Sequence, residues 1–177
     1  MPFSSFTILD PKFKRLFKRY VFQVSLATGA LIAVLLAEQR MSGAAAAQAV
    51  LVAAIASTAF VLFITPHTAS AGLRASLGGH AWALLIASVL ALLAGTDVGT
   101  EWITDVPSLF AVYTAVGVGL CMLAMAATNT EHPPAAGTAL GVVAHGFDWE
   151  LIIFVGTAVI MLVVLHRVFR SRMTNLY

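Results

Sequence analysis

The amino-acid sequence predicts an all-α membrane protein, a polytopic helical bundle of five to six crossings. Three observations support this prediction. Of the 177 residues, 60% are hydrophobic and only 10% are charged, and the mean hydropathy is +0.93, whereas soluble domains carry about a quarter charged residues. The apolar residues form long runs that are separated by Pro, Gly and charged residues. A histidine-containing motif also occurs twice, which predicts an internal repeat.

The repeated motif reads His-x3-Ala-Gly-x7-His. Its first copy begins at His67 and closes at His80, and its second copy begins at His132 and closes at His145. Both histidines are displaced by the same 65 positions (67 to 132 and 80 to 145), and they account for four of the five histidines in the chain. We therefore expect two related repeats, about 44–95 and 108–165, each containing a short broken helix that is either re-entrant or a half-helix.

The charges predict the domain organisation and the orientation. Five of the ten Lys and Arg residues lie between positions 12 and 19, whereas residues 96–107 carry three carboxylates and no basic residue. By the positive-inside rule, the N-terminus is cytoplasmic and the acidic segment lies outside. We expect a basic interfacial segment (1–20), a single transmembrane domain (21–169) and a basic C-terminal tail (170–177), in a multi-pass protein of the bacterial inner membrane.

The breaks in the apolar runs give the helices in order. Pro133 and Pro134 fix φ and lack an N–H, so they suit the first turn of a new helix. That helix would span about 20 Å, less than the roughly 30 Å of the hydrocarbon core. Asp148 is positioned to cap the last helix. The predicted elements are an interfacial helix over 2–20, spans over 21–37, 44–64, 79–95, 108–127 and 149–165, and the short helix over 133–145.

The short helix leaves two topologies open. With five crossings the basic C-terminus lies outside, against the charge rule, and with six it returns to the side of the N-terminus. The number of crossings in each repeat also decides whether the repeats are parallel or inverted.

Two stretches resemble the HPP family of small integral membrane proteins. The run Glu131–Leu140 contains the His-Pro-Pro tripeptide after which that family is named. The first half carries the spacing of a second signature of the family, formed by Phe63, Pro66, Ser70, Arg74 and Gly78-Gly79-His80. The resemblance covers roughly residues 20–165. It implies a helical bundle with four or more spans and, for plastid and cyanobacterial relatives, nitrite transport.

The expected broken helices and one cation predict an anion site. Arg74 is the only Arg or Lys between Arg40 and Arg167, and an Arg at membrane depth costs about 3 kcal/mol, so it usually lines a site. The N-terminus of a half-helix offers free N–H groups and the positive end of its dipole. The alternative is that Arg74 extends to the membrane surface. The candidate substrate-binding residues are Ser70, Ala71, Gly72, Arg74, His80, Asn129, His132, Pro134, Ala135, Gly137 and Thr138.

The histidines allow three interpretations: hydrogen bonds to backbone freed by the helix breaks, proton coupling or substrate contact, and metal binding. No pair has the i, i+4 spacing of a helical metal clamp, so we expect no bound metal or cofactor. Glu131 precedes His132 and could tune its protonation. The proton-coupling candidates are His67, Glu131, His132 and His145. Residues 128–130 are expected to cap the helix that follows.

Transport of a small monovalent anion, nitrite or nitrate, is the predicted function. One alternative is a non-transporting membrane module that binds a ligand or partner through its basic ends, and another is a metal-ion transporter that uses the histidines. The chain has no enzymatic signature, and its basic cluster is typical of a juxtamembrane anchor against the lipid bilayer, not of nucleic-acid binding. The small residues Ser25 and Gly29, four apart on the first span, favour a homo-oligomer.

Overall fold

The computed structural model of the protein describes residues 11–38 and 45–176, and all regular structure in these two ranges is helical. Positions 2–10 of the expected interfacial helix, Gln39 and Arg40 at the end of the first span, and Tyr177 lie outside them. The helices are α1 (Pro11–Glu38), α2 (Ala45–Ile64), α3 (Leu73–Ala94), the single turn α4 (Asp97–Gly99), α5 (Pro107–Thr128), α6 (Pro133–His145) and α7 (Trp149–Phe169). Short 3-10 helices occupy Ala69–Ala71 and Arg170–Arg172, and a π-helical turn occupies Thr100–Thr104.

Four segments are long and apolar enough to cross a membrane, in agreement with the predicted class: Phe13–Ala37, Leu73–Ala94, Pro107–Thr128 and Trp149–Arg172. α2 has 20 residues, of which Gln48–Ile64 form a shorter apolar stretch. α6 has the 13 residues that were predicted for the short helix. The main-chain N–H of Glu150 donates to the Asp148 carboxylate at 2.9 Å, which confirms the predicted cap of α7.

Two predicted helix boundaries are wrong. α1 is uninterrupted through residues 11–38, because no Pro or Gly separates the basic segment from the first span, so no separate interfacial helix exists in the part of α1 that is described. α3 is likewise continuous through Gly78 and Gly79, where the sequence analysis placed a break. These two glycines serve close packing: a Cβ on Gly78 would lie 2.6 Å from the Thr130 methyl carbon, and one on Gly79 would lie 2.8 Å from the His132 Cβ.

Contacts between helix ends fix the direction of each helix. The Tyr20 hydroxyl of α1 donates to the Leu176 carbonyl at 2.6 Å. Arg74, at the start of α3, donates to the carbonyl of Thr128, the last residue of α5. Five helix ends therefore meet at one end of the bundle, which we call the basic end. They are the beginnings of α1 and α3 and the ends of α2, α5 and α7. The segment 97–105, with its three carboxylates, lies at the opposite, acidic end.

α6 runs from the interior of the bundle to its acidic end. The residue before it, His132, contacts the Ser70 carbonyl in the turn before α3 and the His80 ring in α3 itself. The helix ends beside residues 91–95 at the acidic end. Asn129 ends α5 with a left-handed φ of 54°, and residues 130–132 then enter the bundle along Gly78 and Gly79. Because α6 starts inside the bundle, its roughly 20 Å suffice to reach the far end. The two basic parts of the chain therefore lie at the same end.

α6 is also the centre of the bundle. It packs most extensively against α2 and α3, and it contacts α5 as well. Small residues allow this close approach: a Cβ on Gly137 would lie 3.1 Å from the Ala54 Cβ, and one on Gly141 would lie 2.5 Å from Leu51. Close helix approach through small residues is a usual way of packing in membranes, where the hydrophobic effect does not draw helices together.

The residues after α7 fold back onto the basic end. The Gln23 side chain bonds to both main-chain groups of Thr174. Its Oε1 accepts from the Thr174 N–H at 3.0 Å, and its Nε2 donates to the Thr174 carbonyl at 2.9 Å. The Leu176 N–H donates to the Ile64 carbonyl at 3.0 Å. Residues 173–176 are therefore tied to α1 and to the end of α2.

The two copies of the motif do not form equivalent elements. α2 and α5 both run toward the basic end, and α3 and α6 both run away from it, so the two helix pairs have the same direction. In the first copy, however, His67 is followed by a turn and by the 22-residue α3, whereas His132 is followed directly by the 13-residue α6. The predicted short helix of the first copy is therefore not found.

Candidate functional site

Two buried histidines face each other inside the described bundle. His80 lies in α3 and His132 immediately precedes α6, and their exposed fractions are 2% and 0%. Their ring centroids are 5.1 Å apart. The two motif copies therefore meet inside the bundle through one histidine of each.

A single threonine joins the two rings. The Oγ1 of Thr58, on α2, lies 3.0 Å from the His80 Nε2 and 3.3 Å from the His132 Nε2. The same oxygen lies 3.0 Å from the Ala54 carbonyl oxygen one turn earlier in α2. Thr58 is fully buried, whereas its neighbour Ser57 is exposed. Sequence reasoning missed Thr58, because a hydroxyl in an Ala-rich helix gives no sign of which face it occupies.

The outer nitrogens of the two rings are bonded as well. The His80 Nδ1 lies 3.1 Å from the Thr138 Oγ1, and the His132 Nδ1 lies 2.8 Å from the Ser70 carbonyl oxygen. All four ring nitrogens therefore have partners, which satisfies the general requirement for buried polar groups. Of the predicted substrate-binding residues, the structure brings Ser70, His80, His132 and Thr138 together. We call these four residues and Thr58 the histidine cluster.

A second polar site lies at the basic end, where α3 begins. A cavity of about 150 Å³ is lined by Ala71, Gly72, Leu73, Val163, His166, Arg167 and Arg170. The first turn of any helix carries N–H groups that have no acceptor within the helix, together with the positive end of the dipole. Two predicted residues, Ala71 and Gly72, lie here, but the arginines that face them come from α7 and the turn after it. We call this cavity the basic cavity.

Arg74 does not line the basic cavity. Its side chain is exposed, and its Nη2 donates at 2.6 Å to the carbonyl of Thr128. A cation at this position compensates the negative end of the α5 dipole. The positive charge that was predicted at Arg74 is instead supplied at the cavity by Arg167 and Arg170. Arg167 lies just before the predicted C-terminal tail, and Arg170 is its first residue.

The remaining predicted residues occupy separate positions. Pro134, Ala135 and Gly137 pack in the first turns of α6, and Asn129 lies exposed at the end of α5. The Thr128 hydroxyl bonds to the Ala124 carbonyl and that of Thr130 to the Met125 carbonyl, so residues 128–130 end α5, and the prediction that they cap the following helix is wrong.

Two proton-coupling candidates lie at the surface. Glu131 is exposed, and within the described residues it makes no hydrogen bond or ion pair with His132. His67 is exposed too, and its Nε2 lies 3.2 Å from the Met173 carbonyl oxygen. His67 therefore belongs to the contact with the C-terminal residues.

His145 lies at the acidic end, in a larger cavity of about 380 Å³. The ends of α3 and α6, the turn 100–104 and Phe110 of α5 line this cavity. Within the part of the chain that the structure describes, both ring nitrogens of His145 are buried and have no hydrogen-bond partner, unlike those of the histidine cluster. Within the ranges that the structure describes, no group of three or more His, Cys, Asp or Glu side chains is arranged to hold a metal ion.

A comparison with models of protein families matches residues 14–175 to the transmembrane region of HPP proteins. The chain belongs to the HPP family. The match extends beyond the motifs, from the basic part of α1 to the residues that fold back on Gln23, and this HPP protein is a membrane protein with four apolar helices long enough to cross a bilayer. No curated protein and no solved structure matches the chain significantly.

Proposed function

We propose that this HPP protein transports a small monovalent anion, nitrite or nitrate, and that the anion binds first in the basic cavity. One observation supports the proposal: the N-terminus of α3, Arg167 and Arg170 line the same cavity of about 150 Å³. Free N–H groups, a positive dipole end and guanidinium groups are the usual components of anion sites.

The lining of the basic cavity favours an anion over a cation. None of the described residues that line it carries a carboxylate. A cavity of this size holds several waters, so it has room for a small anion with part of its hydration shell. Arg167 and Arg170 are both exposed, so a ligand can reach their guanidinium groups from solvent.

Three polar sites lie in sequence along α3. The basic cavity lies at residues 71–73, the histidine cluster at His80 and the larger cavity at residues 91–95. With a rise of about 1.5 Å per residue, the cluster lies about 10 Å and the far cavity about 27 Å from the start of α3. An anion that leaves the basic cavity would therefore meet the cluster before the acidic end.

Nitrite uptake into liposomes containing the purified protein tests the proposal. Arg167→Gln and Arg170→Gln remove one guanidinium each, and a charge-assisted hydrogen bond contributes about 1.5–3 kcal/mol, so the apparent nitrite affinity should fall about 10- to 100-fold. Arg172→Gln is the matched control, because Arg172 lies in the same turn but outside the cavity. Absence of uptake above protein-free liposomes, or equal uptake by all three variants, contradicts the proposal.

The proposal includes the orientation and the assembly. The basic end is taken to face the cytoplasm of a bacterial cell, by the positive-inside rule.

Ser25 and Gly29 on α1 are exposed, and a Cβ on Gly29 would meet nothing within 4 Å, so this small-residue face is available to a second copy of the chain. Light scattering of the detergent-solubilised protein measures its copy number, and a monomer would exclude the homo-oligomer.

A further inference from the structure

We propose that Thr58 relays a proton between His80 and His132, and that this relay couples proton movement to the anion transport proposed above, on which the inference rests. The supporting geometry is one hydroxyl oxygen within 3.3 Å of a ring nitrogen of each histidine, in a site that is closed to solvent.

The acceptors around the cluster determine where the hydrogens lie. A carbonyl oxygen only accepts, so the His132 Nδ1 carries the hydrogen that bonds to the Ser70 carbonyl. In a neutral ring the Nε2 of His132 is then an acceptor, and the Thr58 hydroxyl must donate to it. The Thr58 oxygen in turn accepts from the His80 Nε2–H, and the His80 Nδ1 accepts from the Thr138 hydroxyl. The donors therefore point one way, from Thr138 through His80 and Thr58 to His132.

Thr58 also has an acceptor for the charged state of His132. If the His132 Nε2 gains a proton, both rings donate to the Thr58 oxygen, and the hydroxyl hydrogen turns to the Ala54 carbonyl, which is 3.0 Å away. Rotation about the Cβ–Oγ bond exchanges the two arrangements. The histidine cluster thus has a complete set of hydrogen bonds whether His132 is neutral or protonated, which a purely structural pair of rings does not require.

The proton transfer balances at each atom. When His80 carries hydrogens on both nitrogens, its Nε2–H bond breaks as an O–H bond forms on Thr58. The original Thr58 O–H bond breaks at the same time, and an N–H bond forms at the His132 Nε2. One proton and one positive charge have then moved from α3 to α6. His80 is left neutral with its hydrogen on Nδ1, where the Thr138 oxygen now accepts.

Among the described residues, no other titratable group bonds to the cluster. α2 contributes no charged or titratable residue in its described range. Arg74 of α3 bonds to Thr128, His166 of α7 bonds to the Pro66 carbonyl, and Cys121 of α5 is a buried thiol. None of these three forms a hydrogen bond or ring contact with His80 or His132 in the described chain. The other titratable groups on these helices lie toward the acidic end or face the basic cavity, and they are Tyr113, His145, Glu150 and Arg167.

Two substitutions of Thr58 separate the hydroxyl from the shape of the side chain. Thr58→Val keeps the volume and removes the hydroxyl, whereas Thr58→Ser keeps the hydroxyl. Nitrite uptake is measured in liposomes with and without an imposed proton gradient, after thermal unfolding has shown that both variants are folded. We expect the gradient to increase uptake by the unsubstituted protein and by Thr58→Ser, and to have no effect on uptake by Thr58→Val.

Nitrogen NMR of histidine-labelled protein in lipid bilayers provides a second readout that needs no transport. The relay predicts that neutral His80 carries its hydrogen on Nε2 and neutral His132 on Nδ1, and that Thr58→Val, but not Thr58→Ser, changes the His80 tautomer or its titration. A different pair of tautomers in the unsubstituted protein overturns the relay.

The outcomes separate the two proposals. If nitrite enters but the gradient affects Thr58→Val and Thr58→Ser equally, or affects neither them nor the unsubstituted protein, the relay is wrong and the transport proposal stands. If no nitrite or nitrate enters under any condition, the proposed function fails, and coupling to transport fails with it. The tautomers then decide whether the proton path itself exists.

Discussion

The two copies of the histidine motif use their histidines in opposite ways. In the first copy the leading histidine, His67, lies at the surface and the closing one, His80, is buried; in the second copy the leading histidine, His132, is buried and the closing one, His145, lines a cavity. The difference follows from where the next helix begins, since α3 starts six residues after His67 and α6 starts directly after His132. The position of a histidine in the repeat therefore does not determine whether it is buried. Its distance from the start of the following helix does.

The largest expected effect is on His132. His132→Ala removes a buried ring that bonds to Ser70 and Thr58 and leaves a cavity, so it should reduce the free energy of unfolding by about 3 kcal/mol. His67→Ala, the equivalent change in the first copy, removes one exposed contact and should cost about 0.5 kcal/mol. Unfolding titrations in mixed micelles measure both values. Equal losses would show that the two leading histidines are equivalent after all.

A smaller effect is expected where the copies touch. Gly79→Ala places a methyl group 2.8 Å from the His132 Cβ and 3.1 Å from the Thr130 carbonyl oxygen, and overpacking of this kind costs about 2 kcal/mol. Gly119→Ala in α5 is the control, because a Cβ there meets nothing within 4 Å, and the loss of a helical glycine stabilises by about 1 kcal/mol. The same unfolding titration should therefore give opposite signs. If Gly79→Ala is also stabilising, His132 does not pack against α3 as described.

The smallest effect concerns the closing histidine of the second copy. His145→Leu removes two buried nitrogens that have no partner, so it should raise the free energy of unfolding by about 1 kcal/mol. His80→Leu, the equivalent change in the first copy, leaves Thr138 and Thr58 without their ring partners and should destabilise the protein. Differential scanning fluorimetry of the two variants tests the sign. Destabilisation by His145→Leu would indicate that this ring binds a ligand or an ordered water.

The sequence predicted the helices better than their contacts. Prolines and the lengths of the apolar runs place α2, α5 and α6 within one residue of the predicted bounds, and the capping aspartate places the start of α7 at the predicted residue, because these signals act locally. The Gly78-Gly79 pair was misread as a break. In an isolated helix glycine is unfavourable, and only the neighbouring chain at Thr130 and His132 explains its presence. A tertiary contact of this kind has no local signal.

The candidate sites were predicted in part for the same reason. His80 and His132, which meet inside the bundle, and Gly72, which lines the basic cavity, were among the candidate residues named from the repeat and the family signatures. Thr58, Arg167 and Arg170 were not, because each comes from a helix far away in the sequence. Arg74 was assigned to the site since it is the one cation of its region, but a long side chain at a helix start can reach a neighbouring helix end instead.

The central position of α6 has a consequence for biosynthesis. α2, α3 and α5 are all made before α6, yet they surround it. A nascent chain that has emerged only as far as Thr128 has no helix for the space between α2 and α3, and its Thr58 and His80 side chains lack the partners that His132 and Thr138 later provide. The interior of this bundle is therefore complete only when residues 133–145 have been inserted, late in translation.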